Sequence, residues 1–217
     1  MLKRIAKELG RHAPFTAFGA LTGIIIMVMV AIIWGDVPPH IIQIVFYTLH
    51  PLHVVLSAIV TTAMYIRYRK AKFWLAILIG WTGSIGIATI SDAVIPYLGG
   101  ALLHVKMGFH VPFIETEEMP IIGIEKWKVV NSAALIGIAF GYWRPTTKFP
   151  HAGHVLLSTW ASLFYFRAFG IANWIPLLPF VFLFLFLAVW IPCCTSDIVY
   201  PLLFIRKEQE LSSQGEA

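Results

Sequence analysis

Long apolar stretches alternate with short polar segments along most of the chain. A membrane-spanning helix needs about 20 mostly apolar residues, and six stretches approach or exceed this length. They are Phe15–Trp34, His40–Ile66, Phe73–Leu98, Val129–Trp143, His151–Phe169 and Trp174–Ile205. The fourth is short, whereas the second and sixth are long. This pattern predicts an all-α integral membrane protein with about six transmembrane helices.

The composition agrees with that prediction. Hydrophobic residues make up 59% of the chain and charged residues 12%, whereas about 25% of a soluble domain is charged. The mean hydropathy is +0.79. The net charge of +5 therefore does not indicate a nucleic-acid partner. We expect the lipid bilayer and a small ion or small-molecule substrate as partners, and no motif specifies an oligomeric state.

The basic residues predict an orientation. Positive side chains concentrate on the cytoplasmic side of membrane proteins. Assigning the loops alternately places 12 of the 16 lysines and arginines on one side, including four before the first span. We therefore predict a plasma (inner) membrane protein with both termini in the cytoplasm and a retained N-terminal signal-anchor.

Two nine-residue segments resemble each other. HPLHVVLSA begins at His50 and HAGHVLLST begins at His151, and five of their nine positions are identical. A second matching pair follows, SDAVIPYL from Ser91 and SDIVYPLL from Ser196. Two matches in the same order indicate an internal duplication.

The duplication predicts one membrane domain over residues 1–217. Repeat one covers about 15–98, an outer loop 99–127, repeat two about 128–205, and a polar tail 206–217. Each repeat holds three spans, so the second copy enters the membrane in the opposite sense. We therefore expect two three-helix inverted-topology repeats, with two related polar clusters, one in each leaflet.

The repeats place ionisable residues inside the predicted spans. Such a group costs on the order of 2.5 kcal/mol in a membrane and by default marks a functional site. Residues at i, i+3 and i+7 share a helix face. The predicted metal ligands are His50, His53, Asp92, His151, His154 and Asp197, with Ser57 and Ser158 as partners that hold a ring nitrogen. Two histidines and an aspartate suit a divalent transition metal, zinc or iron above all.

An alternative interpretation needs no ligand. Each aspartate could cap its helix or bond a histidine, and each histidine could be a packing residue. Prolines flank the motifs, so we expect a helix to begin or kink at each histidine pair and to break after each aspartate. These prolines are Pro51, Pro96, Pro150 and Pro201.

Three smaller features complete the pattern. Gly19 and Gly23 favour close helix packing over dimerisation. The outer loop carries His104, His110, Glu115, Glu117 and Glu118, which could gather a cation, although a solvated loop is the favoured interpretation. Cys193 and Cys194 favour apolar packing, with a soft-metal ligand as the alternative.

Three function classes fit these residues. The first is transport of a metal cation or of a proton-coupled solute. The second is a membrane metalloenzyme that acts on a lipid through metal-bound water, so enzymatic activity stays open. The third is a b-type haem protein that uses one histidine from each repeat as an axial ligand.

Overall fold

Six long helices make up most of the described chain in a computed structural model, which covers residues 2–35, 37–68, 72–119, 122–145, 148–171, 175–194, 200 and 204. The helices are α1 (Leu2–Trp34), α2 (Pro39–Tyr68), α3 (Phe73–Thr89), α4 (Ile95–Leu102), α5 (Lys126–Trp143), α6 (Lys148–Phe169) and α7 (Leu178–Cys194). A π-helical turn, Ile90–Val94, joins α3 to α4 into one continuous helix. The strands β1 (Lys106–Met107) and β2 (Gly170–Ile171) pair antiparallel, and a 3₁₀ turn, Ile175–Leu177, precedes α7.

Four of these helices are long and apolar enough to cross a membrane. Their apolar segments are Ala13–Ile33, Pro39–Arg67, Phe73–Leu102 and Ile175–Cys193. The all-helical membrane-protein class is therefore supported. Because α5 begins with two lysines and α6 carries histidines, serines and Arg167, neither reaches the same apolar length. The prediction that these two also span the membrane stays a prediction.

Helices α2 and α6 pack against each other at the centre of the fold and run antiparallel. The ring centroids of His53 and His154 lie 5.7 Å apart. Earlier in α2, the centroid of the Phe46 ring lies 5.2 Å from that of Tyr165 and 5.7 Å from that of Phe169. Residue numbers therefore fall along α2 as they rise along α6.

Glycines bring α1 against α6 and α5 against α2. A Cβ atom added to Gly19 would lie 2.5 Å from Oγ1 of Thr159. A Cβ on Gly137 would lie 2.4 Å from the carbonyl oxygen of Val55, and one on Gly141 would lie 2.6 Å from that of Ile59. Only glycine permits such an approach of two helices. The interpretation of the α1 glycines as packing residues is thus confirmed, and α5 uses the same device.

Replacing Gly137 by alanine tests this packing. Because the new methyl group would meet a backbone oxygen, which cannot move aside alone, we expect the free energy of unfolding in detergent to fall by about 1–3 kcal/mol. Gly86→Ala is the control, since a Cβ there meets nothing within 4 Å. Equal losses in both variants would contradict the close contact.

The helices continue through Pro51, where the sequence predicts a helix start or a kink, and through Pro96, where it predicts a break. Pro51 lies inside α2, which begins well before the first histidine pair. Pro96 lies in the first turn of α4, just after the π turn that contains Asp92. Proline cannot donate a hydrogen bond to the carbonyl four residues earlier, and a widened turn accommodates that loss without ending the helix. In α6, Pro150 lies in the first turn, where proline is suited.

A buried histidine and aspartate cluster as a candidate cation site

The three candidate ligands of repeat one meet in the interior. His50 and His53 project from α2, and Asp92 projects from the π turn; all three are 0% exposed. Nδ1 of His50 lies 2.9 Å from Oδ2 of Asp92, and Nδ1 of His53 lies 2.7 Å from the same oxygen. A single carboxylate oxygen therefore accepts a hydrogen bond from each of two imidazoles.

Serine hydroxyls occupy the other carboxylate oxygen. Ser91 and Ser158 donate to Oδ1 of Asp92 at 2.7 Å and 2.8 Å. Ser162 lies 3.5 Å from Oδ1 and donates to the Ser91 carbonyl at 2.9 Å. The sequence predicts that Ser158 holds a ring nitrogen, but its hydroxyl instead donates to the carboxylate. Ser57 is buried, and its Oγ has no hydrogen-bond partner among the described residues.

These bonds assign the tautomers of both histidines. Because Nδ1 of each ring faces a carboxylate, Nδ1 carries the proton, and Nε2 presents a lone pair. Nε2 of His50 and Nε2 of His53 are buried and have no hydrogen-bond partner in the described part of the chain. A buried, unpaired acceptor costs about 1–3 kcal/mol. Two of them in one cluster call for an explanation, and a bound ion or water supplies one.

His154 from repeat two joins this cluster. It is fully buried, and its ring stacks on His53 with an interplanar angle of 9°. Ligand atoms of His53, His154 and Cys193 lie within 4.8 Å of one another, as do those of His50, His53 and Asp92. His53 therefore belongs to two possible ligand sets.

The contact of His154 with His53 joins one histidine of each repeat, and the prediction of one cluster in each leaflet stays a prediction. The repeat histidines meet because α2 and α6 cross in opposite directions at His53 and His154. The remaining predicted ligands, His151 and Asp197, cannot be placed relative to this cluster. His151 lies in the first turns of α6, but its side chain is outside the described part of the chain, and Asp197 lies outside it altogether.

The charge on Asp92 is the main electrostatic feature of the cluster. Within the residues that the structure describes, its hydrogen-bond and ion-pair partners are histidines and serines, with no lysine or arginine among them. The segment Pro39–Arg67 of α2 is long and apolar enough to cross a membrane, and His53 lies near its middle, about 21 Å from Pro39 at 1.5 Å per residue. A fully buried carboxylate beside the middle of such a segment needs a compensating positive charge.

Two contributors to the cluster carry little signal in the sequence. Ser162 lies one turn after Ser158 on the same face of α6, and this spacing is the only clue to its role. Cys193 has no counterpart in repeat one, where Ala88 occupies the matching position. The adjacent cysteines favour apolar packing in the sequence, yet Cys193 Sγ lies 3.7 Å from Ser158 Oγ.

The outer loop contains an internal ion pair and packs where α2 begins and α6 ends. Glu115 accepts a hydrogen bond from the Tyr47 hydroxyl at 2.9 Å and from the Val111 backbone at 2.7 Å. The Lys126 ammonium lies 3.0 Å from Glu115 and 2.6 Å from Glu117. These two carboxylates thus bind the chain's own ammonium group.

The other members of the predicted loop set are arranged differently. The His110 ring stacks on the Phe169 ring with their centroids 4.1 Å apart, and Nδ1 of His110 lies 3.3 Å from Oε1 of Glu115. His104 and Glu118 are exposed. His110, Glu115 and Glu117 do lie near one another, but the Lys126 ammonium already pairs with both carboxylates, so a cation site at the outer mouth gains no support.

Opposing effects act on the pKa of Lys126. Burial lowers it, but hydrogen bonds to Glu117 and Glu115 outweigh burial and raise it. The same contact lowers the pKa of Glu117. The ion pair therefore stabilises the fold throughout neutral pH. Its contribution is lost as the pH rises through the raised lysine value, above the ordinary 10.4 or so.

Replacing Lys126 by methionine should destabilise the outer loop. It removes the cation beside Glu115, whose side chain is only 15% exposed, and we expect a loss of about 2 kcal/mol at pH 7. Glu117→Gln is the control, because that side chain is 72% exposed and its pair with lysine is worth less than about 1 kcal/mol. Thermal unfolding in detergent measures both. A larger loss from Glu117→Gln would contradict the central role of Glu115.

Comparison with known proteins assigns no family to the chain. No protein-family model matches it, and no curated protein and no solved structure matches it either. The functional argument therefore depends on the geometry of the cluster.

Proposed function

We propose that the protein binds a cation within the membrane at the His50, His53 and Asp92 cluster and carries a metal cation, or a proton-coupled solute, across it. The observation that carries this proposal is the buried Asp92 carboxylate. Its described hydrogen-bond partners are serines and histidines, and of these only a histidine can carry a positive charge. A metal ion, or a proton on an imidazole, is the charge that this site requires.

The glycine contacts support an inverted repeat. Added Cβ atoms on Gly19 and Gly23 would meet Leu156, Thr159, Trp160 and Leu163, and those on Gly137 and Gly141 would meet Val55, Ala58, Ile59 and Thr62. Taken in order, the four residues on α2 and the four on α6 differ by 101 in residue number. His50 and His151 differ by the same number. The contact of α1 with α6 thus has the same register as the contact of α5 with α2.

This correspondence supports transport over the other functions. A pseudo-two-fold axis would pass between α2 and α6, close to the stacked rings of His53 and His154. Transporters built from inverted repeats bind their substrate at the repeat interface near the bilayer midplane. The same geometry is consistent with both termini on one side of the membrane, the cytoplasmic side by the basic-residue pattern.

The alternatives meet specific obstacles. A porphyrin held between the repeats would have to separate the His53 and His154 rings, which stack directly. A lipid-cleaving metal site would need access for a large substrate, yet every described residue of the cluster is buried. A bare ion or a proton requires a much smaller opening.

Reconstitution into liposomes tests the proposal. We expect purified protein to retain a stoichiometric transition metal without a Soret band and to accelerate uptake of zinc or iron, or of protons, into proteoliposomes. Asp92→Asn and Asp197→Asn should each abolish uptake, because the repeat predicts one aspartate per half. Normal uptake of both metal ions and protons by the Asp92 variant, or lipid hydrolysis in place of uptake, would overturn the proposal.

A further inference from the structure

A thiol lies at the meeting point of the two repeats. Cys193 on α7 is 1% exposed and forms no disulfide. Cys193, His53 and His154 each place one ligand atom within 4.8 Å of the ligand atoms of the other two. Metal–ligand bonds of about 2.0–2.3 Å would place three such donors 3–4 Å apart. Small side-chain movements would therefore complete a three-ligand site.

His53 is prepared for such a role by Asp92. The carboxylate holds Nδ1 of the ring at 2.7 Å, which leaves the buried Nε2, unpaired among the described residues, as the free nitrogen. A carboxylate that orients a histidine from behind is the usual arrangement in protein metal sites. Ser158 ties the two parts together, because its hydroxyl contacts both Asp92 and the Cys193 sulfur.

We propose that His53, His154 and Cys193 form a ligand set for a thiolate-binding divalent transition metal of the zinc type, with Asp92 as the residue that positions His53. This inference rests on the proposed cation site and specifies its metal class. As the metal binds, the thiol releases its proton to solvent. Thiolate sulfur and imidazole nitrogen favour zinc-type ions, whereas magnesium and calcium require oxygen ligands.

The charges of this arrangement balance. A divalent ion carries two positive charges, the Cys193 thiolate supplies one negative charge, and the Asp92 carboxylate behind His53 supplies the other. Three protein ligands leave one tetrahedral position open, as exchange of a transported ion requires. Because Ala88 replaces the cysteine in repeat one, the sulfur is present on one side only. We therefore expect one metal ion of this kind per chain.

Cobalt(II) is a suitable probe for the full-length protein in detergent. We expect wild-type protein to bind one Co²⁺ and to show a thiolate-to-cobalt charge-transfer band in the near ultraviolet. X-ray absorption of the zinc form should show one metal–sulfur bond of about 2.3 Å. Cys193→Ser should lose the band, Cys194→Ser should retain it, and His154→Gln should lower the cobalt affinity at least 10-fold.

The wild-type spectrum decides the matter even if a variant fails to fold. Stoichiometric cobalt without a thiolate band would overturn the ligand set and leave the proposed cation site intact. A band that survives in Cys193→Ser but disappears in Cys194→Ser would also overturn it. Protons carried across liposomes by a protein that binds no metal would refute the metal site while sustaining transport. A thiolate band in a protein that carries no ion would support the metal site and refute transport.

Discussion

The Asp92→Asn variant is expected to fold and to lose its cation. An asparagine can present its carbonyl oxygen to the two imidazole N–H groups while its amide donates to the serine hydroxyls, so the variant retains the hydrogen bonds. It loses the negative charge of the carboxylate. We expect metal affinity to fall by about 100-fold or more, at the upper end of losses for residues that orient a ligand, with a loss of stability of about 1 kcal/mol.

Metal titration and unfolding in detergent separate these two effects. Asp92→Ala is the contrasting variant, because it leaves two imidazole N–H groups and the Ser158 hydroxyl without their acceptor. Removing one partner of a buried charged cluster costs about 3–5 kcal/mol. Unchanged metal affinity in a folded Asp92→Asn protein would exclude the carboxylate as the source of cation binding.

His53→Gln should cause the second large loss. His53 is the one residue shared by both possible ligand sets, and its ring also stacks on His154. Its replacement therefore leaves neither set with three donors, and we expect no stoichiometric metal in the purified variant. Elemental analysis of protein recovered from a single size-exclusion peak gives the measurement.

Two matched variants give this prediction its contrast. His50→Gln removes a ligand from one set only, so the set of His53, His154 and Cys193 should still bind metal. His104→Gln changes an exposed histidine outside the cluster and should change nothing. If His50→Gln and His53→Gln lost metal equally, the cluster would act through the set that contains Asp92, and the thiolate set would be refuted.

Much of the helical framework follows from the apolar pattern. The six apolar stretches correspond to six long helices in the described part of the chain, and a helix is how an apolar stretch satisfies its backbone groups within a membrane. The meeting of His50, His53 and Asp92 also agrees with the sequence prediction. Spacing places both histidines on one face of α2, and the next helix brings the aspartate against that face. That they bind a metal stays a prediction.

Relations between the repeats were harder to predict. Sequence spacing specifies a face of each helix but not the height at which two helices cross, so the contact between His53 and His154 could not be anticipated. The same limit applies to Lys126, which reads as a topology signal in the sequence and lies 3.0 Å from Glu115 in the fold. An ion pair formed across a loop leaves no periodic trace in the sequence.

The glycine contacts link the two halves of the chain. Gly19 binds α1 closely to α6 of the other repeat, and Gly137 binds α5 closely to α2. Each contact therefore joins a helix of the first half of the chain to a helix of the second half, and neither half packs as a separate unit. Under the proposed transport function, we expect α1 to move with α6 and α2 with α5, so that His53 and His154 face each other between these two pairs of helices.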